Sequence, residues 1–260
     1  YKPENQGICG NDEYWNRDIE WYEIQSAVRK LKNGKAAGID AIPGEVYKAI
    51  VKENPRDNTG LAYILLKVIN ILFNGNIPEE LMTSIVVSVP KKGDLTDMNN
   101  YRGISLMPVC LKIVAAIVAQ RISSAFEEEH FLVDSQAGFR TDQECVGQVG
   151  ALIEIIQRWT KGQTKSKRRG DVEELLRAYV CFIDFKKAYD MVPHEAMLYK
   201  LRIYGIVGKT YEFIRTLYAS SKIKVRVEHV YSPSVPLERG LRQGCPLSPI
   251  LFSIFINGIL

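Results

Sequence analysis

The segment Ala178-Tyr-Val-Cys-Phe-Ile-Asp-Phe185 constrains the fold of this chain most. It is apolar with no helical period and rich in aromatic and β-branched residues. It therefore reads as a strand covered on both faces, with one carboxylate near its end. A chain with such a strand has to build a sheet and cover it. Helical apolar spacing before it supplies the cover. Trp21, Ile24, Val28 and Leu31 repeat on one face after Asp18, the expected N-cap, with Gly34 as the stop. A loop over 34–43 opens a further helix with Pro43 at its first turn. Helices are expected over 61–73, 109–126 and 146–159, and strands over 84–89 and 101–106 with a turn at Lys91–Asp94 between them. Beyond the apolar strand, helices are expected over 194–204 and 209–220. A strand over 222–227 follows, with Lys222, Lys224 and Arg226 on its outer face and Ile223, Val225 and Val227 on the other. Pro233 and Pro236 limit the next segment to an edge, and a final apolar helix starts near Ser248. The pattern is α+β, helix-rich first and sheet-bearing second.

Composition narrows the classes of function. Five scattered cysteines without a CxxC pair argue against a disulfide framework and a cysteine zinc site, and for a reducing compartment. The N-terminus lacks the features of a signal peptide, and no uncharged run reaches the ~18 residues of a membrane span. These readings give an intracellular protein, nuclear or cytoplasmic, not secreted and without a membrane partner. They also suggest a segment cut from something longer. The net charge of +4 permits a polyanionic partner without demanding one. Lys161, Lys165, Lys167, Arg168 and Arg169 sit in a stretch without apolar period, expected to be a basic loop inserted between two ordered parts.

Three constellations carry chemistry. A carboxylate inside an apolar strand is costly unless paired, protonated or bound to a cation. Asp184 thus suits a hard-cation ligand at the lip of a sheet, a phosphoacceptor or a helix N-cap. Asp190 reads as a cap or turn residue for the helix at His194. The second constellation, Arg239-Gly-Leu-Arg-Gln-Gly-Cys-Pro-Leu-Ser-Pro249, sets two glycines around Gln243. Glycine lets backbone approach a flat partner, and the Gln amide both donates and accepts. In the third, a hairpin brings Lys91, or its rival Lys92, close to Arg102. A point charge beside a planar fork suits a triphosphate, and solvated surface charge is the plainer reading.

Together these residues resemble reverse transcriptases of non-LTR (LINE-type) retrotransposons. Phe182-Ile-Asp-Phe-Lys-Lys-Ala-Tyr-Asp-Met-Val-Pro-His194 is similar to the family's first catalytic-aspartate motif. Gly240-Leu-Arg-Gln-Gly-Cys-Pro-Leu-Ser-Pro-Ile-Leu-Phe252 is similar to its template-and-nucleotide loop. Lys35-Ala-Ala-Gly-Ile-Asp-Ala-Ile-Pro-Gly-Glu45, Asn100-Tyr-Arg-Gly-Ile-Ser-Leu106 and Gln136-Ala-Gly-Phe-Arg140 are similar to fingers motifs. The resemblance implies a right-hand polymerase without its thumb. Its parts would be a polar N-terminal extension (1–18), fingers (19–160), the basic loop (161–176) and a partial palm (177–260). It implies an RNA template, a DNA primer and dNTPs as partners. Two Mg2+ ions, replaceable by Mn2+, would be held by Asp184 with the Phe185 backbone carbonyl. Lys91 and Arg102 would clamp the pyrophosphate, Tyr189 would exclude a 2′-hydroxyl, and Gln243 and Gly244 would shape the nucleotide pocket. Arg140, Lys222, Lys224, Arg226 and Arg242 would contact nucleic acid.

One departure stands out: the chain has no Asp-Asp dipeptide, although the family's palm carries an aromatic-x-Asp-Asp turn. The expectation is either a piece that ends before that motif or a decayed copy, and a chain that is inactive by itself. Two other readings stay open. One is a non-enzymatic relative that binds nucleic acid or protein. The other is an α/β phosphoacceptor domain built on Asp184, which would need a β-α rhythm and a phosphate loop that this sequence lacks.

Overall fold

The computed structural model of the chain describes residues 12–55, 59–140, 143–162 and 178–259. Its helices are α1 (Asp12–Asn16), α2 (Trp21–Arg29), α3 (Gly44–Ile50), α4 (Gly60–Phe73), α5 (Val109–Glu128), α6 (Cys145–Gly162), α7 (His194–Ile203), α8 (Gly208–Ala219) and α9 (Ser248–Ile256). Its strands are β1 (Thr83–Pro90), β2 (Tyr101–Leu106), β3 (Lys222–Val227), β4 (Val230–Tyr231) and β5 (Val235–Pro236).

Helix α5 is the axis of the core. Leu111, Val114, Val118, Ile122 and Phe126 are all buried, as are Ile113 and Ile117 on a second face. A helix covered on more than one side needs apolar residues around most of its circumference. That also makes α5 long and apolar enough to cross a membrane by length and composition, at a mean hydropathy of 1.6, although Lys112 and Arg121 interrupt it and leave no uncharged run of spanning length. Its most apolar window is 72% buried inside the protein, as a core helix requires. Helices α4 and α9 pack on it. Ile69 and Phe73 of α4, Leu251 and Ile254 of α9, and Phe213 and Leu217 of α8 belong to the same buried cluster, Phe213 meeting Phe73 of α4 at 6.4 Å. Arg121 is the polar exception on α5, 2% exposed. It is tied at 2.7 Å to Glu23 and donates to the carbonyls of Trp15, Arg17 and Asp18, so its charge is answered inside the protein. Asp18 is not the cap of α2. Glu20 holds that place in a reciprocal capping box with Glu23, and Asp18 pairs with Lys209 at 2.6 Å.

The sheet has the order β2-β1-β3-β4, with β5 also on β3. β1 and β2 form the expected antiparallel hairpin, in which Val89 faces Arg102 and Pro90 faces Tyr101. β1 then runs parallel to β3, from Thr83 opposite Lys222 to Val87 opposite Arg226. The sheet is therefore shared between the N-terminal hairpin and the C-terminal part of the chain. Pro236 sits in the short edge strand β5, where its missing N–H costs little.

The segment that reads most strongly as a strand is not one. Residues 178–185 adopt no strand, and Phe182 and Ile183 are 82% and 84% exposed. Strand preference is largely packing and pairing with neighbours, and the sheet's order leaves this segment without a ladder partner among the described residues. Asp184 is consequently exposed rather than enclosed. β3 differs too, since both its faces are half-buried instead of one buried and one open. Of the expected basic loop, Lys161 belongs instead to helix α6, and Lys165, Lys167, Arg168 and Arg169 lie outside the described residues.

Candidate active site

The loop over 239–246 is built by being stitched to its surroundings. Gly240 N donates to Val192 O and Leu241 N to Tyr189 O, both at 2.8 Å, while Ser105 N of β2 donates to Gln243 O at 2.8 Å. His194 Nε2 meets Gly240 O at 2.9 Å, and Ser248 Oγ donates to Arg242 O at 2.8 Å. Two glycines make this closeness feasible. Gly240 has φ +92°, and a Cβ there would stand 3.0 Å from both Cα and O of Asp190. Gly244 has φ +105°, and its Cβ would stand 3.1 Å from Ser105 O. Only glycine adopts such angles without strain. Gly240→Ala is expected to destabilise the chain by about 1–3 kcal/mol. Gly138→Ala, where a Cβ meets nothing within 4 Å, is the control. Urea melts of the two variants decide it, and equal midpoints would refute the strain.

Above this loop lies a cavity of about 880 Å3. Among its lining residues are Lys91, Arg102, Phe139, Asp184, Phe185, Lys187, Tyr189, Asp190, Gln243 and Gly244. Segments far apart in sequence thus converge on one place: the β1–β2 hairpin, the turn at Phe139, residues 184–190 and the loop before α9. Between the two rival lysines, Lys91 lines the cavity and Lys92 does not. Lys91 Nζ donates to Asn99 O at 3.1 Å across its own hairpin turn. The Tyr189 ring stacks on Phe252 at 5.0 Å and 15° and meets Phe139 edge-on at 6.1 Å. Burial of this ring pushes its hydroxyl up to about 12, so it remains a neutral phenol at ordinary pH. A rigid aromatic wall beside a cationic rim is suited to a sugar and its phosphates.

Several expected site residues have other employment. Arg242 is 1% exposed, so it cannot touch a nucleic-acid backbone. Its Nη2 donates to Met82 O at 3.0 Å and also to Ser221 Oγ, while Nε and Nη1 are buried without a partner among the described residues. Desolvation lowers its pKa from the usual guanidinium range. It anchors the loop to the starts of β1 and β3. Arg140 is engaged by Glu127 at 2.6 Å, which answers its charge. Its motif neighbour Phe139, with φ 63°, lines the cavity instead. Lys222 pairs with Glu79 at the sheet margin, and Lys224 and Arg226 share its strand, away from the cavity lining. Asp190 is the expected turn residue and not a cap: it lies in the 3-10 turn Tyr189–Met191 before α7, whose N-cap is Pro193. Its carboxylate accepts from Gln243 Nε2 at 3.0 Å.

Lys187, Phe139 and Phe252 are the contributors missed in the sequence. Lys187 stands at φ 53°, a left-handed conformation that is rare outside glycine, and its Nζ donates to Asn99 Oδ1 at 3.2 Å. That bond links the segment after Asp184 to the β1–β2 hairpin. Nothing in the spacing marks a lysine as left-handed, although its place within Lys186-Lys187 next to Asp184 was a signal of charge.

As for metal, Asp184 offers an exposed carboxylate at the cavity, and the adjoining Phe185 carbonyl is the second expected oxygen. Both are hard donors of the kind Mg2+ takes, with waters completing the shell. They fit part of the inner shell of an ion. Among the described residues no group of three or more His, Cys, Asp or Glu side chains is arranged to hold a metal.

Residues 89–260 match the family described as reverse transcriptase (RNA-dependent DNA polymerase). The chain is 26% identical, over 90% of its length, to the RNA-directed DNA polymerase from mobile element jockey of Drosophila funebris. It is 27% identical, over 92%, to a probable RNA-directed DNA polymerase from transposon BS of Drosophila melanogaster. It is also 26% identical, over 92%, to an uncharacterized 149 kDa protein of transposon TX1 of Xenopus laevis. It spans only 17% to 24% of the length of these relatives.

Proposed function

The chain belongs to the reverse transcriptase (RNA-dependent DNA polymerase) family, its relatives being non-LTR retrotransposon enzymes, and from that premise we propose that its cavity binds a dNTP for RNA-templated extension of a DNA primer. The observation that carries this is convergence. Lys91, Arg102, Asp184, Tyr189, Gln243 and Gly244 surround one cavity of about 880 Å3. No shared structural need would gather two cations, a carboxylate, an aromatic wall and a glycine-flanked amide there.

In this reading the hairpin forms the fingers side and residues 184–190 the palm side. A primer 3′-oxygen attacks the α-phosphate in line and pyrophosphate leaves. Such a transfer depends on positioning and charge neutralisation more than on covalent help from the protein. Arg102 offers a planar fork and Lys91 a mobile point charge, and together they neutralise the leaving pyrophosphate. Tyr189, fixed between Phe252 and Phe139, fills the space that a 2′-hydroxyl would need. Gln243 and Gly244 form the floor against which the base pair lies. Asp184 and the Phe185 carbonyl would hold Mg2+, which, when bound, draws charge from the reacting phosphate. Lys224 and Arg226 offer a cationic strand for a phosphate backbone, with Lys222 contributing only on leaving Glu79.

The test is primer extension on an RNA template by a full-length polymerase carrying these residues, with Mg2+ or Mn2+. Template-dependent dNTP incorporation, lost without a divalent cation, is the expected result. Binding of template and primer with no incorporation would instead favour a non-enzymatic module.

A further inference from the structure

Asp190 lies in the cavity wall, yet it has no part in the chemistry assigned above. Its backbone and side chain both serve the opposing loop. The backbone packs against Gly240, close enough that even a Cβ would stand at 3.0 Å. The neighbouring residues Tyr189 and Val192 accept the two loop hydrogen bonds from Leu241 and Gly240. The side chain then reaches across to Gln243, and its Oδ1 accepts from Nε2 at 3.0 Å, linking residues 53 apart in sequence. A carboxylate has no hydrogen to offer, so the amide nitrogen must be the atom facing it. That settles which way round the Gln243 amide stands and leaves Oε1, an acceptor, turned away from Asp190.

We propose that Asp190 is a positioning residue for nucleotide selection. It holds Gln243 in one rotamer and one amide orientation, and it couples the loop to the turn bearing Tyr189. The proposal rests on reading the cavity as a dNTP pocket. A free glutamine amide on a flexible stem can rotate and exchange its donor and acceptor ends. A clamped one presents the same atom to every incoming nucleotide, and binding energy is then not spent on ordering it.

The test is a set of four variants in a full-length polymerase carrying these residues, with kcat and KM measured for matched and mismatched dNTPs. Asp190→Ala should raise KM for the matched dNTP and cut kcat/KM roughly ten- to a hundredfold, the range of a lost charge-assisted hydrogen bond. It should also narrow the gap between matched and mismatched nucleotides. Asp190→Asn, whose Oδ1 can still accept, should recover most of that loss. Gln243→Glu sets two carboxylates face to face and should be impaired. Adding Asp190→Asn to it restores a donor to an acceptor and should recover a large part of kcat/KM. Additive losses in the double variant, or an unchanged matched-to-mismatched ratio in Asp190→Ala, would overturn the proposal. A wild type unable to polymerise would overturn the polymerase reading instead. The pair is then read from the NMR signal of the Gln243 side-chain NH2 in the chain itself. Movement of that signal in Asp190→Ala but not in Asp190→Asn supports the clamp, and no movement in either refutes it.

Discussion

Replacing Asp184 by alanine is expected to lower primer extension roughly a thousandfold or more, because a lost metal ligand forfeits several kcal/mol of transition-state stabilisation. The side chain is exposed and does not hold the fold. Stability should therefore move by no more than about 0.5 kcal/mol, the range of surface substitutions. This separation makes the experiment informative: melting temperature stays put while the rate collapses. Asp184→Asn should behave almost as badly, since the amide keeps the shape and removes the charge. Single-turnover extension with matched enzyme concentrations measures the effect. Retention of more than a few per cent of the rate would remove Asp184 from the chemistry and leave it a solvated side chain at the cavity's lip.

The second large effect is on sugar selection. Tyr189→Ala is expected to reduce the preference for dNTP over rNTP by roughly ten- to a hundredfold, about what a pocket can gain or lose over one hydroxyl. The ring's position between Phe252 and Phe139 makes it a wall rather than a freely swinging side chain. Tyr189→Phe retains the wall and should retain the preference. Because the ring is also half-buried and packed against the core, Tyr189→Ala should lose stability as well. The measurement is therefore the ratio of incorporation efficiencies, from which a uniform loss of active protein cancels. An unchanged ratio would make Tyr189 a packing residue alone.

Elements that carry their own physics were legible in the sequence. The apolar stripes of α4 and α5 are local, and the β1–β2 hairpin brackets its own turn, so period and turn residues sufficed. The motif residues that line the cavity were legible as a set through the resemblance of their motifs to one family, residue types alone leaving surface charge, turns and caps open. What failed depended on partners distant in the chain. Residues 178–185 have a strand's composition, but pairing makes a strand, and composition does not reveal whether a neighbour is in reach. Arg242 was expected to contact nucleic acid because the family resemblance implied it. Its fate was decided by Met82 O and Ser221 Oγ, which offer it acceptors within the core. Asp190 was legible as a turn residue because turns are local, whereas its side-chain partner is an amide from another segment. Lys187 was passed over because a left-handed backbone at lysine has no signature in spacing.

The parallel pairing of β1 with β3 has a consequence for how the protein is made. Arg242 reaches Met82 O across 160 residues, and β3 emerges only shortly before it. At ~5–20 residues per second, β1 leaves the ribosome on the order of ten seconds before its parallel neighbour exists. Throughout that wait the hairpin shows an unpaired row of amides and carbonyls beside apolar side chains, an invitation to any other strand nearby. Closure of so long a loop is slow even once the partner arrives. The β1–β2 hairpin is thus among the early pieces to take shape locally and among the last to be secured. Yield of active protein should accordingly depend more on what shields that edge during synthesis than on the stability of the finished fold.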